Sequence, residues 1–448
     1  MQSLPLTLFE TYLFHEDRPA YPCWILTRYR FRGTFQREVL QHAWEQVNLR
    51  HPFLTAVVRR NWRGRLFWEP AVDFKPAVEW DTARQQTGWP AWKAIDLERD
   101  PGVHLIVAEG DGNAELFLQV HHSLHDGAGT FAVVDDLLVH YARMLGSQVE
   151  PARLRPDLLA GRNGFGLSAW GRLRMAPMQA IGLAASLQLH MAKVAPVRPT
   201  PPVPDGDPFP PGMPAMASRR FPPEVFKGLR EAAKRNGAGV HDLLVRDAQA
   251  ALGAWLKLHG SAGPLEWTRL ALPVNLRRPL DIQLPAANLV GLVGIDRRVK
   301  SLARRERLLV RAREDLGWVK RRRFGYVFLV VLWLQGLLPG GIRRYARRRK
   351  CRATLLLTNL GQVLSTSPLL NADGRVSVPG AVLEDVCLQA PVRPGTSACL
   401  AVGVYASALA ADLTYDPRVL TRTQAEDLVQ AFSDQLRLTT ESAGPPAA

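Results

Sequence analysis

Seven consecutive residues, His121-His122-Ser123-Leu124-His125-Asp126-Gly127, concentrate the chemistry of this chain. An unperturbed imidazole titrates near pH 6.5, so a large share of it is neutral at physiological pH and able to take a proton from an alcohol or an amine. Rival chemistries fit less well. A metal site needs convergent ligands, whereas neighbouring strand residues diverge, and no H-E-x-x-H or cysteine partner is present. A nucleophilic Ser123 would call for a G-x-S-x-G elbow, which the chain lacks. Two readings remain: general-base work by one histidine while the other packs, or a pair of satisfied histidines at a strand end.

The elements around the string have to present it. Ala114 to Val120 alternates around Leu116, Leu118 and Val120, the pattern of a half-buried strand. From Thr130 onward, Val133, Val134, Leu137, Leu138 and Tyr141 recur at helical spacing. The seven residues therefore form a strand-to-helix turn. Gly127 lets that turn fold tightly and brings substrate close to the backbone. Asp126 lies too far along the turn to be taken as a triad partner, and its carboxylate is free to pin the loop through a cation.

Elsewhere the chain repeats the theme of strand and helix. Ile25, Thr27, Tyr29 and Phe31 share one strand face, and Val39, Leu40, Ala43, Trp44 and Val47 share one helix face. An amphipathic helix is predicted over His241 to Leu258, followed by a strand over Leu265 to Pro273. Such alternation on both sides of the midpoint favours α/β layers. At the midpoint, Pro196 to Pro214 holds nine prolines in nineteen residues, which excludes regular structure there. Its position divides 448 residues into a lobe over 1–195, a linker over 196–214 and a lobe over 215–448.

These features resemble the chloramphenicol-acetyltransferase-like superfamily, which includes peptide condensation domains, wax ester synthases, plant acyltransferases and polyketide-associated acyltransferases. The H-H-x-x-x-D-G string carries the resemblance, and further elements follow in order. Arg50-His51-Pro52-Phe53-Leu54 is similar to an R-H-x-x-L element, Pro273 to Arg277 to P-x-N-x-R, and Asn288 to Gly291 to N-x-x-G. Thr358-Asn359-Leu360-Gly361 resembles an S/T-N-L-G element, and Tyr405 to Pro417 a last strand ending in Y-D-P. The plant D-F-G-W-G box is missing, and Asn359-Leu360-Gly361-Gln362 stands where wax ester synthases carry N-V-P-G-P.

The resemblance implies two α/β lobes, each a mixed sheet flanked by helices, with an active-site tunnel between them. It implies that His122 is the general base, that His121, Asp126 and Gly127 are structural, and that an arginine of the second half, Arg277, pairs with Asp126. His51 is expected to pack beneath the first sheet. Asn359 and Gly361 are candidates for the tunnel wall. The hydroxyls of Thr396 and Ser397 are candidates for holding an oxyanion, ahead of the Ser365-Thr366-Ser367 string in its polar loop. The implied reaction moves an acyl group from acyl-CoA or a carrier phosphopantetheine thioester to a lipophilic alcohol. Amide formation with an amine acceptor and a carrier-bound donor is the rival, and a non-catalytic acyl- or carrier-binding protein the alternative of another class. No bound cofactor and no metal are expected.

Charge adds a second theme. Between Arg297 and Lys350, eighteen Lys/Arg face three Asp/Glu, a surplus of +15 out of a net +16 for the chain. Inside this window Phe324 to Leu338 is mostly apolar and bracketed by Lys320-Arg321-Arg322-Arg323 and by Arg343, Arg344 and Arg347 to Lys350. As a helix it would reach about 22 Å, short of a hydrocarbon core of about 30 Å. Contact with an anionic membrane surface through Lys320 to Lys350 is therefore expected, without a span. Trp170 to Val194 is a second apolar-basic candidate. The same cations would steer anionic coenzyme A or an acyl carrier protein. A nucleic-acid partner is disfavoured, because the arginines bracket an apolar run and lack interleaved stacking aromatics. Cys23, Cys351, Cys387 and Cys399 form no C-x-x-C pair, so neither a zinc ribbon nor a disulfide framework is expected. Glu10, Glu16 and Asp17 interrupt any secretory signal, which points to the cytoplasm, with peripheral contact at the inner membrane face.

Overall fold

A computed structural model describes residues 2–81, 88–164, 193–208, 210 and 214–441, with isolated positions between 180 and 187. In the first half the elements run β1 (Leu4–Pro5), α1 (Leu8–Glu16), β2 (Trp24–Gly33), α2 (Arg37–Arg50), β3 (Ala56–Arg60), β4 (Leu66–Pro70), β5 (Val78–Asp81), β6 (Val103–Gly110), β7 (Asn113–His121) and α3 (Gly127–Met144). The second half begins with β8 (Ala215–Phe221), α4 (Pro223–Arg235), α5 (Val240–His259), β9 (Trp267–Asn275), β10 (Val290–Arg298) and α6 (Arg305–Arg322). It continues through α7 (Val327–Gly336), α8 (Gly341–Ala346), β11 (Leu355–Gln362), β12 (Ser377–Val378), β13 (Ala381–Gln389), β14 (Ala398–Tyr405), β15 (Ala408–Tyr415) and α9 (Arg422–Glu441).

Two mixed six-stranded sheets organise these elements. One has the order β12-β13-β2-β7-β6-β5, the other β10-β9-β11-β14-β15-β8. Helix α3 buries Val133, Val134, Leu137, Leu138 and Tyr141 in the core of the first sheet, the face its periodicity predicts. Helices α4, α5, α6 and α9 contribute to a separate core on the second sheet. Strand β14 is buried along its whole length, as a central strand covered on both faces should be. All four cysteines are free thiols.

The lobes do not follow the two halves of the sequence. Strands β12 and β13 leave the second half and pair in the first sheet, with Leu388 opposite Thr27 and Cys387 opposite Arg28. Period-2 alternation identifies such strands but carries no information on which sheet they join. The described part of the proline-rich stretch touches both halves: Thr200 Oγ1 accepts from Gly395 N at 3.2 Å, and Asp205 pairs with Arg18 at 2.9 Å.

The apolar run bracketed by arginines is also divided. Phe328, Val331 and Leu332 are buried in the first lobe's core, where Phe328 meets Phe9 and Tyr12 edge-on, while Trp333, Leu337 and Leu338 remain exposed. Among the described residues no helix is long and apolar enough to cross a membrane. Most of Trp170 to Val194 lies outside the described residues.

Candidate active site

Strand β7 ends at the histidine pair because its ladder ends there. His121 N donates to Gly102 O and His122 N to Cys23 O, both at 2.8 Å, and Leu124 N then closes a turn on His121 O at 2.9 Å. Asp126 begins α3 as its N-cap, accepting from Gly129 N at 3.0 Å. Gly129 has no room for a side chain, since an added Cβ would lie 2.7 Å from His125 Cβ.

Hydrogen bonding holds the two histidines in opposite tautomers. His122 Nδ1 lies 3.2 Å from the carbonyl oxygen of His125, which can only accept, so Nδ1 carries the proton and Nε2 keeps its lone pair. Among the described residues nothing hydrogen-bonds that Nε2. In His121 the roles reverse: Nδ1 accepts from Ser123 N at 3.1 Å, leaving Nε2–H to face Asp17 at 3.7 Å. His122 lies deep in the protein yet keeps part of its surface accessible, with Phe9 edge-on at 6.4 Å. Burial pushes its pKa below the usual imidazole value, against the pull of the Asp126 carboxylate. Burial likewise pushes the His125 imidazole down to about 4, and among the described residues its Nε2 has no hydrogen-bond partner.

Asp126 joins the lobes. Arg277 donates to Oδ2 at 2.7 Å and to Oδ1 at 2.9 Å, and Leu289 N donates to Oδ2 at 3.0 Å. Burial disfavours the charged carboxyl, but the Arg277 guanidinium and these N–H donors outweigh it and hold its pKa below the usual range. With both oxygens so occupied, no hydrogen bond joins Asp126 to His122. Beside this pair, Asn288 Nδ2 donates to the carbonyls of His122 and Ser123 at 2.8 and 2.9 Å. Asn288 is visible in the sequence only as part of N-x-x-G, and Phe9 carries no signal there at all.

The other expected site residues fall into two groups. Gly127 faces the seam, where an added Cβ would sit 3.8 Å from Leu388 and 3.9 Å from Leu360. Leu360 reaches it through a β-bulge between Asn359 and Gly361, the latter at φ +66°. Asn359 itself turns away to His241 Nδ1 at 3.2 Å and to Gly361 N at 3.0 Å. Thr396 Oγ1 accepts from Ala353 N, Ser397 Oγ lies 3.4 Å from Thr200 Oγ1, and Ser367 Oγ accepts from Leu369 N; among the described residues none hydrogen-bonds His122. His51 is buried under the first lobe, accepting from Ala286 N at 2.9 Å and facing Asp136 at 3.4 Å.

Of two cavities, only one is lined by a residue of the motif, His121. A large one, about 1270 Å³, opens on the His121 side of β7 and is lined by Asp17, Trp24, Trp89, Trp92 and Arg343. A small one, about 40 Å³, lies in the seam between Leu360, Leu388 and Tyr405. Neither cavity is lined by the His122 ring. Among the described residues no cluster of three or more metal-ligating side chains occurs.

Solved structures with this arrangement of lobes cover the chain end to end. The first condensation domain of the calcium-dependent antibiotic synthetase superposes with a TM-score of 0.68 at 16% identity, over 100% of this chain and 98% of its own. This chain has the condensation-domain fold. The starter condensation domain of rhizomide synthetase, in complex with C8-CoA and Leu-SNAC, shares that fold with a TM-score of 0.66 at 14% identity, over 99% and 95% of the two chains. Polyketide synthase associated protein 5 from Mycobacterium tuberculosis shares it with 0.62 at 16%, over 98% and 99%. No protein-family model and no curated protein matches the sequence. Identities this low establish the condensation-domain fold and leave the reaction to the site.

Proposed function

We propose that this chain transfers an acyl group from a thioester, either acyl-CoA or a carrier-bound phosphopantetheine, to the hydroxyl of a lipophilic acceptor. One observation carries the reading: the Nε2 lone pair of His122, set by the Nδ1 hydrogen bond to His125 O, stands unpaired at the seam of the two lobes. Nε2 takes the acceptor's proton as its oxygen attacks the thioester carbonyl, and no acyl-enzyme forms. The resulting oxyanion needs donors. Gly127 N and Ala128 N, in the first turn of α3, have no intrahelical acceptor and are the proposed source, since Thr396 and Ser397 are engaged elsewhere. Collapse breaks the carbon–sulfur bond, and the imidazolium returns its proton to the departing thiolate.

Asp126 and Arg277 act as positioning residues that fix the turn against the second lobe. An acceptor with apolar character suits the aromatic edge of Phe9 and the leucines facing Gly127. The same base would serve an amine, and the rival amide-forming reaction differs only in that acceptor. The test is product analysis by mass spectrometry over a panel of acyl-CoAs and acyl carrier proteins with alcohol and amine acceptors, for the wild type and His122→Ala. Ester products lost in the variant support the proposal, and amide products alone favour the rival. Absence of turnover in the wild type across the panel would leave a binding protein.

A further inference from the structure

An exposed apolar cluster at the end of α7 sits beside a run of positive charge. Trp333 near the end of α7 and Leu337 at its C-cap lie four residues apart, 53% and 62% exposed, and Leu338 follows at 56%. Large apolar side chains are exposed singly on most proteins, but three within six residues form a patch. The opposite face of α7 is sealed into the core by Phe328 and Leu332. The exposed face therefore belongs to a helix that cannot roll over to hide it.

Cations rim this patch. Arg344 donates to Pro339 O at 2.6 Å, which places its guanidinium at the tip formed by Leu337 and Leu338. Arg343, one residue earlier, is exposed and has no ion-pair partner among the described residues. Arg348, Arg349 and Lys350 follow, all exposed; the sequence holds no carboxylate from residue 316 to 372, and Asp205 reaches in from outside that window to pair with Arg349 at 3.1 Å. A Trp and two leucines at the end of a short helix, ringed by arginines, combine an apolar wedge with a positive collar. An acidic protein would satisfy the collar but not the wedge.

We infer that this tip docks on a phospholipid bilayer carrying anionic headgroups, with Trp333, Leu337 and Leu338 entering the headgroup and acyl boundary and the arginines meeting the lipid charge. Helix α7 is ten residues long, so it rests in the interface without crossing it. The buried side of the same helix reaches Phe9, which touches His122. On the acyl-transfer reading, the helix and the Phe9 ring would then stand between the catalytic ring and the lipid surface.

Flotation of the full chain with vesicles tests the inference without reading turnover, so its outcome is separate from that of the acyl-transfer proposal. The probes are phosphatidylcholine vesicles, with and without phosphatidylglycerol, at low and high salt. The wild type should float with the phosphatidylglycerol vesicles. Trp333→Ser with Leu337→Ser should weaken that binding by roughly tenfold or more, and Arg343→Glu with Arg344→Glu should erase the preference for anionic lipid. Both double variants are surface changes, and unchanged thermal melting by circular dichroism confirms that they fold. No flotation of the wild type at low salt overturns the inference. So does undiminished flotation of the serine variant, or binding to an acidic acyl carrier protein in place of vesicles.

Discussion

Arg277 grips both carboxylate oxygens of Asp126 across the seam between the lobes, at 2.7 and 2.9 Å. The pair ties a turn of the first half to the loop after β9 in the second, 151 residues away. Removing one partner strands the other. Arg277→Ala should destabilise the fold by roughly 3 kcal/mol, because Asp126 stays buried and loses its cation. Urea unfolding at neutral pH measures it, and a loss below about 1 kcal/mol would reduce the pair to a surface ion pair.

His122→Ala should lower thioester-dependent product formation by roughly two to four orders of magnitude while leaving the melting temperature near that of the wild type. Single-turnover assays with the best donor and acceptor pair from the panel read this directly. Retention of most of the activity would remove the ring from the reaction.

Two glycines two residues apart should behave differently. At Gly129 an added methyl meets His125 Cβ at 2.7 Å, and that ring is fully buried, so Gly129→Ala should cost roughly 2 kcal/mol. At Gly127 the nearest atoms stand at ordinary contact distance, 3.8 and 3.9 Å, so Gly127→Ala should fold almost as well as the wild type. Equal stabilities for the two variants would contradict this packing.

Acid should act on stability through His125. Its folded pKa, about 4, lies below the unfolded value near 6.5, so the unfolded chain binds the extra proton first. Stability from this residue is complete above about pH 6.5 and falls as the pH drops toward 4, by roughly 3 kcal/mol in all. Unfolding curves across that range should show a shallower slope for His125→Gln. An unchanged slope would assign the acid sensitivity elsewhere.

The pH–rate profile should carry a related signature. Burial lowers the His122 pKa, and only the neutral ring accepts a proton, so the acid limb of kcat/KM should fall below the ordinary histidine value of about 6.5. A limb at or above that value would point to another base.

Much of this is legible in the residues alone. Alternation marks β2 and β7, 3.6-residue spacing marks α2, α3 and α5, and the string His121 to Gly127 stands where strand gives way to helix, because each signal is local in the chain. The pairing of Asp126 with Arg277 is expected from resemblance alone, and the structure brings the two together. What stays hidden is long-range. Strand β13 joins the far sheet, Leu360 reaches Gly127 only through a bulge, and Asn288 braces the carbonyls of His122 and Ser123. Thr396 and Ser397 look suitable as hydroxyl donors because a strand follows them; in the fold Thr396 Oγ1 accepts from Ala353 N and Ser397 Oγ lies against Thr200 Oγ1.

Residue types and their period thus determined which segments are strands and helices and where a proton acceptor could stand. Only the tertiary structure decided which ring nitrogen is free, since a tautomer is chosen by whichever acceptor or donor the fold sets against the other nitrogen. It also decided which side of an apolar helix meets solvent, because Phe328 and Trp333 are equally hydrophobic to a sequence and differ only in what packs against them.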